Sequence, residues 1–368
     1  MSEFLSQYSL FLAEAVTIFL LIVALIALKA SKKDPEKEEG NIKIQNLNKE
    51  FKKNKDRIQK KILPEDVYDL MKKDEKKKKK VEAKALKKEL KAKKKQAKND
   101  DSSNIELSSD KKQKGFIINF NGDIRASDVA KLRKEITAVL SIATPKDEVI
   151  VNIESPGGAA HSYGLGASQL DRIRKKEIPL TVCVDKVAAS GGYMMACVAD
   201  KIISAPFAIT GSIGVVMQMP NFNKALKKHN VDIEHHTAGK YKTTITTLGE
   251  NTEEGRKKLK DDLEVIHTLF KDHISRYRPE LDIDNVATGE YWMGTNAKEK
   301  GLIDEILTSD EYIINLIDKE YDVYNVKYEP KKNMSDKLSN IFNCSLESSI
   351  EKVFDKFLEK ASLEKYLK

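Results

Sequence analysis

Ser190 has the setting of a reaction centre. It follows the apolar run PLTVCV (179–184), stands among Ala188, Ala189, Gly191 and Gly192, and leads into a second apolar stretch, YMMACVA. Small neighbours let a substrate backbone reach the hydroxyl, and glycines permit a tight strand-to-helix turn like a nucleophile elbow, although G-x-S-x-G is absent. A helix beginning there favours developing negative charge. Taken alone, a serine among small residues is more often a turn or a helix cap. The second feature is Ser155-Pro156-Gly157-Gly158, closing the strand-like run DEVIVNI (147–153). Consecutive glycines can aim backbone N–H groups into a cleft as an oxyanion hole, though by themselves they more often make an ordinary turn. Glycine-rich ends of two parallel strands also belong together, because ligands bind beyond the carboxyl ends of such strands.

A serine nucleophile needs a base, and histidine is a poor candidate. His161 lies just past the double glycine, His229, His235 and His236 follow a surface-like helix, and His267 and His273 lie on a long helical stretch. None has an acidic partner at a suggestive spacing. The sequence holds no HExxH, CxxC or GxxxxGK[ST], so neither a metal site nor an intrinsic ATPase is expected, and the chemistry calls for no cofactor. The three cysteines, Cys183, Cys197 and Cys344, are too scattered for a disulfide framework.

The elements that must position these residues alternate from Gly115 onward. GFIINF (115–120) is a strand. Ser127 is placed to cap a helix carrying Val129, Leu132, Ile136, Val139 and Leu140, and a further helix runs through Leu165, Leu170 and Ile173. PLTVCV and KIISA (201–205) are two more strands, so the rhythm predicts an α/β fold with a mostly parallel sheet. Glu253–Tyr277 spaces Leu259, Leu263, Ile266, Phe270, Ile274 and Tyr277 by threes and fours, which predicts a long amphipathic helix with that face buried. VAASGGYMMACVA (187–199) is too short for a bilayer and is expected to be a core helix.

Upstream, residues 10–28 form an apolar run interrupted only by Glu14, long enough for a membrane span after a polar tail at 1–9. The acidic start MSEFLSQY argues against a cleaved leader. Lysines 29, 32, 33 and 37 then favour the cytoplasmic side for the remainder by the positive-inside rule, with the opposite face left open. Residues 29–113 are expected to be a charged, partly helical stalk, 114–330 the folded domain, and 331–368 a helical tail favouring self-association. Between Lys72 and Lys98, 15 lysines face four acids, a local +11; the net charge of the whole chain is +8, so the rest sums to −3. That balance argues against a nucleic-acid binder and leaves the lysine tract as a solvated spacer in preference to a grip on lipid or RNA.

Several motifs, in order, carry a resemblance: IESPGG (153–158), VDKVAASGGYMMACVADKI (184–202), GSIGVV (211–216), TAGKYK (237–242) and ATGEYWMG (287–294). The chain resembles the signal peptide peptidase A family of serine–lysine peptidases, peptidase family S49, and within it the SohB branch. The resemblance implies a Clp-protease/crotonase-like fold of ββα units, with Ser190 as nucleophile and Lys242 as general base. It also implies an oxyanion hole from Gly157 or Gly158 with the amide of Gly191. It further implies a single-pass protein of the bacterial inner membrane, cutting short or extended peptides such as signal-peptide remnants or membrane-protein fragments. The longest members carry two fused copies, so a single copy is expected to homo-oligomerise, with the dyad shared across the interface in preference to lying within one protomer. A free lysine is neutral only about one part in a thousand at pH 7.4, so a lysine base must be desolvated. TTITTL after Lys242 suits burial, whereas Lys240 is the weaker rival. Two other readings stand beside this one: a crotonase-like acyl-CoA enzyme, and a non-catalytic membrane-tethered scaffold.

Overall fold

The computed structural model describes residues 40–96 and 112–331. The expected membrane span at 10–28 lies outside them, as does the C-terminal helical tail except for its first residue. Among the described residues no helix is long and apolar enough to cross a membrane.

In chain order the elements are β1 (Asn41–Asn46), α1 (Leu47–Ile62), α2 (Glu65–Gln96), β2 (Lys114–Asn121), α3 (Val129–Leu140), β3 (Glu148–Glu154) and α4 (Ala160–Arg174). There follow β4 (Leu180–Val184), β5 (Val187–Ala189), α5 (Gly191–Ala196), β6 (Lys201–Ser204), β7 (Ile209–Gly211), α6 (Asn223–Lys228) and α7 (Glu253–Tyr277). The last are α8 (Ile283–Val286), β8 (Tyr291–Met293), α9 (Gly294–Glu299), β9 (Glu305–Ile306), α10 (Ser309–Asp318) and β10 (Asp322–Glu329).

Seven strands form one sheet in the order β1-β10-β2-β3-β4-β6-β9. From β10 to β9 every neighbouring pair is parallel, as the alternating sequence predicts. Strand periodicity divides the sheet between two layers. Phe116, Ile118 and Phe120 of β2 face a core built with α3, α4, α5 and the end of α7. Ile117 faces the opposite way and packs with Ile150, Cys183 and Ile203 under Ile313 and Leu316 of α10. Buried on both faces, β3 and β4 read as nearly continuous apolar runs. A second, three-stranded sheet, β5-β7-β8, grows from the carboxyl ends of the main strands: β5 follows β4, β7 follows β6, and Ser155 after β3 bridges to Ala188.

The stalk expectation needs correcting. Residues 41–46 are not a spacer but the edge strand of the main sheet, next to β10. The Asn48 side chain clasps the start of β10, donating to the Tyr321 carbonyl (2.8 Å) and accepting from Val323 N–H (2.7 Å). Pro64 separates α1 from α2, and Lys72 of α2 joins the two helices by reaching Asp56 of α1 (2.7 Å), while Glu75 on its own helix also binds it (2.9 Å). The helix-forming residues of the lysine tract are helical as expected, through Gln96.

Two local expectations also shift. Ser127 does not cap α3: its N–H and hydroxyl both bind the Asp123 carboxylate, and Asp128 occupies the cap position with no side-chain hydrogen bond. α7 has its predicted bounds, with Thr252 accepting from Gly255 N–H at its start. Its apolar face, however, is buried only at Phe270 and Ile274, while Val265, Ile266 and Leu269 stay exposed.

Candidate active site

Ser190 sits where β5 gives way to α5, half-buried and open to approach. Its backbone has φ 51° and ψ −117°, a region that side-chain-bearing residues rarely occupy. Two hydrogen bonds hold it there: Ser190 N–H donates to the Gly211 carbonyl (2.7 Å), and Met194 N–H donates to the Ser190 carbonyl (2.9 Å). The first ties the turn to β7 and the second starts α5. This is the strained elbow that the sequence suggested, built without its usual motif.

The Ser155–Gly158 turn lies against it. Ser155 N–H donates to the Val187 carbonyl (2.8 Å) and Ala189 N–H to the Ser155 carbonyl (3.0 Å), so the two strand ends are laced together. Gly157 has φ 93°, and a Cβ there would lie 2.7 Å from Ser190 Cβ; only glycine permits that approach. Gly157 N–H is directed inward to the buried Ser155 hydroxyl (3.1 Å), which removes it from the candidate oxyanion donors. The N–H groups of Gly158 and Gly191 have no acceptor among the described residues, and Gly158 is solvent-exposed. Of the three glycines, the geometry therefore keeps Gly158 and Gly191.

Lys242 stands differently from the expectation. It is exposed, in a bend whose N–H donates to the Gly239 carbonyl (3.1 Å), and TTITTL forms no strand. That segment is looped instead around side-chain amides: Asn221 donates to the carbonyls of Thr246 (2.9 Å) and Gly249 (3.0 Å), and Asn251 accepts from Thr246 N–H (2.8 Å). Within the chain, neither the Ser190 hydroxyl nor the Lys242 ammonium makes a hydrogen bond or ion pair among the described residues. Lys240, the rival, pairs with Glu254 (2.9 Å), and that hydrogen-bonded carboxylate pushes its pKa above the ordinary lysine value. A lysine held charged in this way is a poor base.

Three of the histidines are engaged elsewhere. His235 and His236 are engaged at the surface by Thr246 and Glu234, and His273 contacts the carbonyl of Met194. Sequence reasoning missed Tyr163. Its hydroxyl donates to the Asp123 carbonyl (2.7 Å) and meets the Ser155 hydroxyl at 2.6 Å, both side chains being fully buried. Burial raises the Tyr163 pKa, which keeps the phenol protonated. Its helical spacing marks an apolar-face position, and nothing in the sequence distinguishes it from plain core.

What this arrangement can do is acyl transfer: it combines a hydroxyl on a strained turn with two backbone N–H groups, those of Gly158 and Gly191, that have no acceptor among the described residues. Comparison with known proteins gives the family. The model of peptidase family S49 matches residues 172–323, and that of the peptidase family S49 N-terminal region matches residues 3–170. A protein of Haemophilus influenzae named probable protease SohB is 48% identical over 335 residues, covering 91% of this chain and 92% of that protein. A protein of the same name from Buchnera aphidicola subsp. Acyrthosiphon pisum is 52% identical over 248 residues, covering 67% of this chain and 74% of that protein.

Proposed function

The chain belongs to peptidase family S49, and from that premise we propose that it is a membrane-anchored serine endopeptidase with a Ser190–Lys242 dyad completed between protomers. The observation that carries this reading is the strained Ser190 turn set against the free N–H groups of Gly158 and Gly191. Ser190 Oγ attacks the peptide carbonyl carbon, and its proton passes to the neutral amine of Lys242. The carbonyl oxygen becomes an oxyanion held by the two N–H groups. Collapse breaks the C–N bond, the leaving amine takes the proton from Lys242, and water then hydrolyses the acyl-enzyme by the same route.

The exposed Lys242 favours a dyad shared between copies. A base needs desolvation, and none of the described residues covers it. Phe222, Tyr241 and Leu248 are exposed, as are Val265, Ile266 and Leu269 of α7, leaving apolar surface for a second copy to cover. Tethering by residues 10–28 suits substrates that are short or extended peptides at a membrane, such as signal-peptide remnants or membrane-protein fragments. The acyl-CoA and scaffold readings make no use of a reactive serine. Labelling of the full-length chain in detergent with a fluorophosphonate is the test: modification of Ser190 together with loss of peptide hydrolysis is expected. An unlabelled Ser190, or hydrolysis that persists in Ser190→Ala, overturns the reading.

A further inference from the structure

Three hydrogen bonds run in series beneath the candidate site. Gly157 N–H lies 3.1 Å from Ser155 Oγ, Ser155 Oγ lies 2.6 Å from the Tyr163 hydroxyl oxygen, and that hydroxyl lies 2.7 Å from the Asp123 carbonyl. Their direction is forced. The Asp123 carbonyl can only accept, so it takes the one proton of Tyr163. Ser155 must then donate to the Tyr163 oxygen, which leaves its own oxygen to accept from Gly157. Each hydroxyl donates once and accepts once, and no alternative polarity satisfies the chain.

The same two side chains also support the nucleophile turn. A Cβ on Gly191 would lie 2.4 Å from Cγ of the Tyr163 ring, and one on Gly192 would lie 3.2 Å from Ser155 Cβ. Gly122 closes the other side: a Cβ there would lie 2.3 Å from Ser155 Oγ and 2.4 Å from the Tyr163 hydroxyl. The Gly157 turn and the Ser190 turn therefore rest on one buried pair, with no room for either hydroxyl to relax.

The structure assigns Ser155 and Tyr163 as positioning residues: by holding Gly157 N–H inward, they present Gly158 N–H to the oxyanion that forms when Ser190 attacks. This rests on the reading of Ser190 as nucleophile. An oxyanion donor acts chiefly in the transition state, so its misplacement lowers kcat more than it raises KM.

The test uses the full-length chain in detergent, with Tyr163→Phe and Ser155→Ala. Tyr163→Phe keeps the ring under Gly191 and removes only the hydroxyl, so it also serves if the serine variant fails to fold. Active-site titration with a fluorophosphonate normalises every rate to the reactive fraction. A fall in kcat of about 10–100-fold per active site is expected, with KM within about threefold. Binding of a peptide aldehyde, which forms a reversible hemiacetal with Ser190, should weaken by the same factor as kcat/KM, while binding of the matching product peptide should not change. The double variant should be no slower than the slower single one. Unchanged kcat per active site, or equal weakening for aldehyde and product peptide, overturns the assignment. Failure of wild type to label at Ser190 overturns instead the peptidase reading beneath it, and the assignment with it.

Discussion

His273 donates a hydrogen bond from Nε2 to the carbonyl of Met194 at 3.0 Å, joining the long helix α7 to the short helix α5 that follows Ser190. Met194 N–H in turn donates to the Ser190 carbonyl, so the imidazole is two bonds from the strained turn. On the same side Tyr277 donates to Asp171 (2.8 Å), and the His273 and Tyr277 rings meet edge to face.

This contact makes stability depend on pH. Burial, opposed by the Met194 hydrogen bond, lowers the His273 pKa below its ordinary value of 6.5. The unfolded chain takes up this proton near pH 6.5 while the folded one resists it. The contribution is therefore complete above pH 6.5 and is lost as pH falls below it. Melting temperature should drop between pH 7 and pH 5, and His273→Gln, which keeps a donor but does not titrate, should drop less. Equal slopes in thermal melts of the two proteins would show that His273 is not the sensor.

Ser190→Gly should be both inactive and more stable than wild type. The φ of 51° with ψ near −117° costs a serine on the order of 1–3 kcal/mol that glycine escapes, offset in part by the greater freedom of glycine in the unfolded chain. A gain of about 1 kcal/mol in denaturant unfolding is expected, and Ser190→Ala should show none. A glycine variant less stable than the alanine one would mean that the turn is unstrained.

Gly157→Ala should close the cleft from the opposite side. Its methyl group would meet Ser190 Cβ at 2.7 Å and the Ala189 carbonyl oxygen at 2.8 Å, at a φ of 93° that alanine resists. Destabilisation of about 2 kcal/mol or more is expected, with fluorophosphonate labelling at least tenfold slower. Wild-type labelling and stability would refute the close approach.

Co-assembly separates the two versions of the dyad. Ser190→Ala and Lys242→Ala should each be inactive alone, the double variant no worse, and Lys240→Ala measurably active. Mixed oligomers of the two single variants should regain part of the activity, because some interfaces pair an intact serine with an intact lysine. A demonstrably mixed oligomer with no recovery would place the dyad within one chain.

Local patterns were legible where the chain's own neighbours decide the structure. The bounds of α7 follow from Thr252 at its start and Pro279 beyond its end, and the buried strands from unbroken apolar runs. The depth of the α7 face was not legible, because periodicity marks a stripe without saying what covers it. NIKIQN could not be recognised as a strand: its partner β10 lies some 280 residues away, and its polar composition is that of an edge. At the site, glycines and Ser190 announced themselves by type. The inward turn of Gly157 N–H depends on Tyr163, whose side chain looks like any other core aromatic until its hydroxyl is placed.

The adjacency of β1 and β10 fixes where a working fragment can be cut. The first and last strands of the catalytic unit lie side by side, with Asn48 bonded across to Tyr321 and Val323. A truncation starting at residue 114, past the charged stretch, strips the cover from β10. Its unpaired N–H and C=O groups would then be free to pair with the same edge of another molecule, the route to aggregates and swapped dimers. A fragment starting at residue 40 keeps that edge closed. The lysine-rich hairpin, by its composition the easiest part to discard, follows directly from the strand that keeps the protease from templating itself.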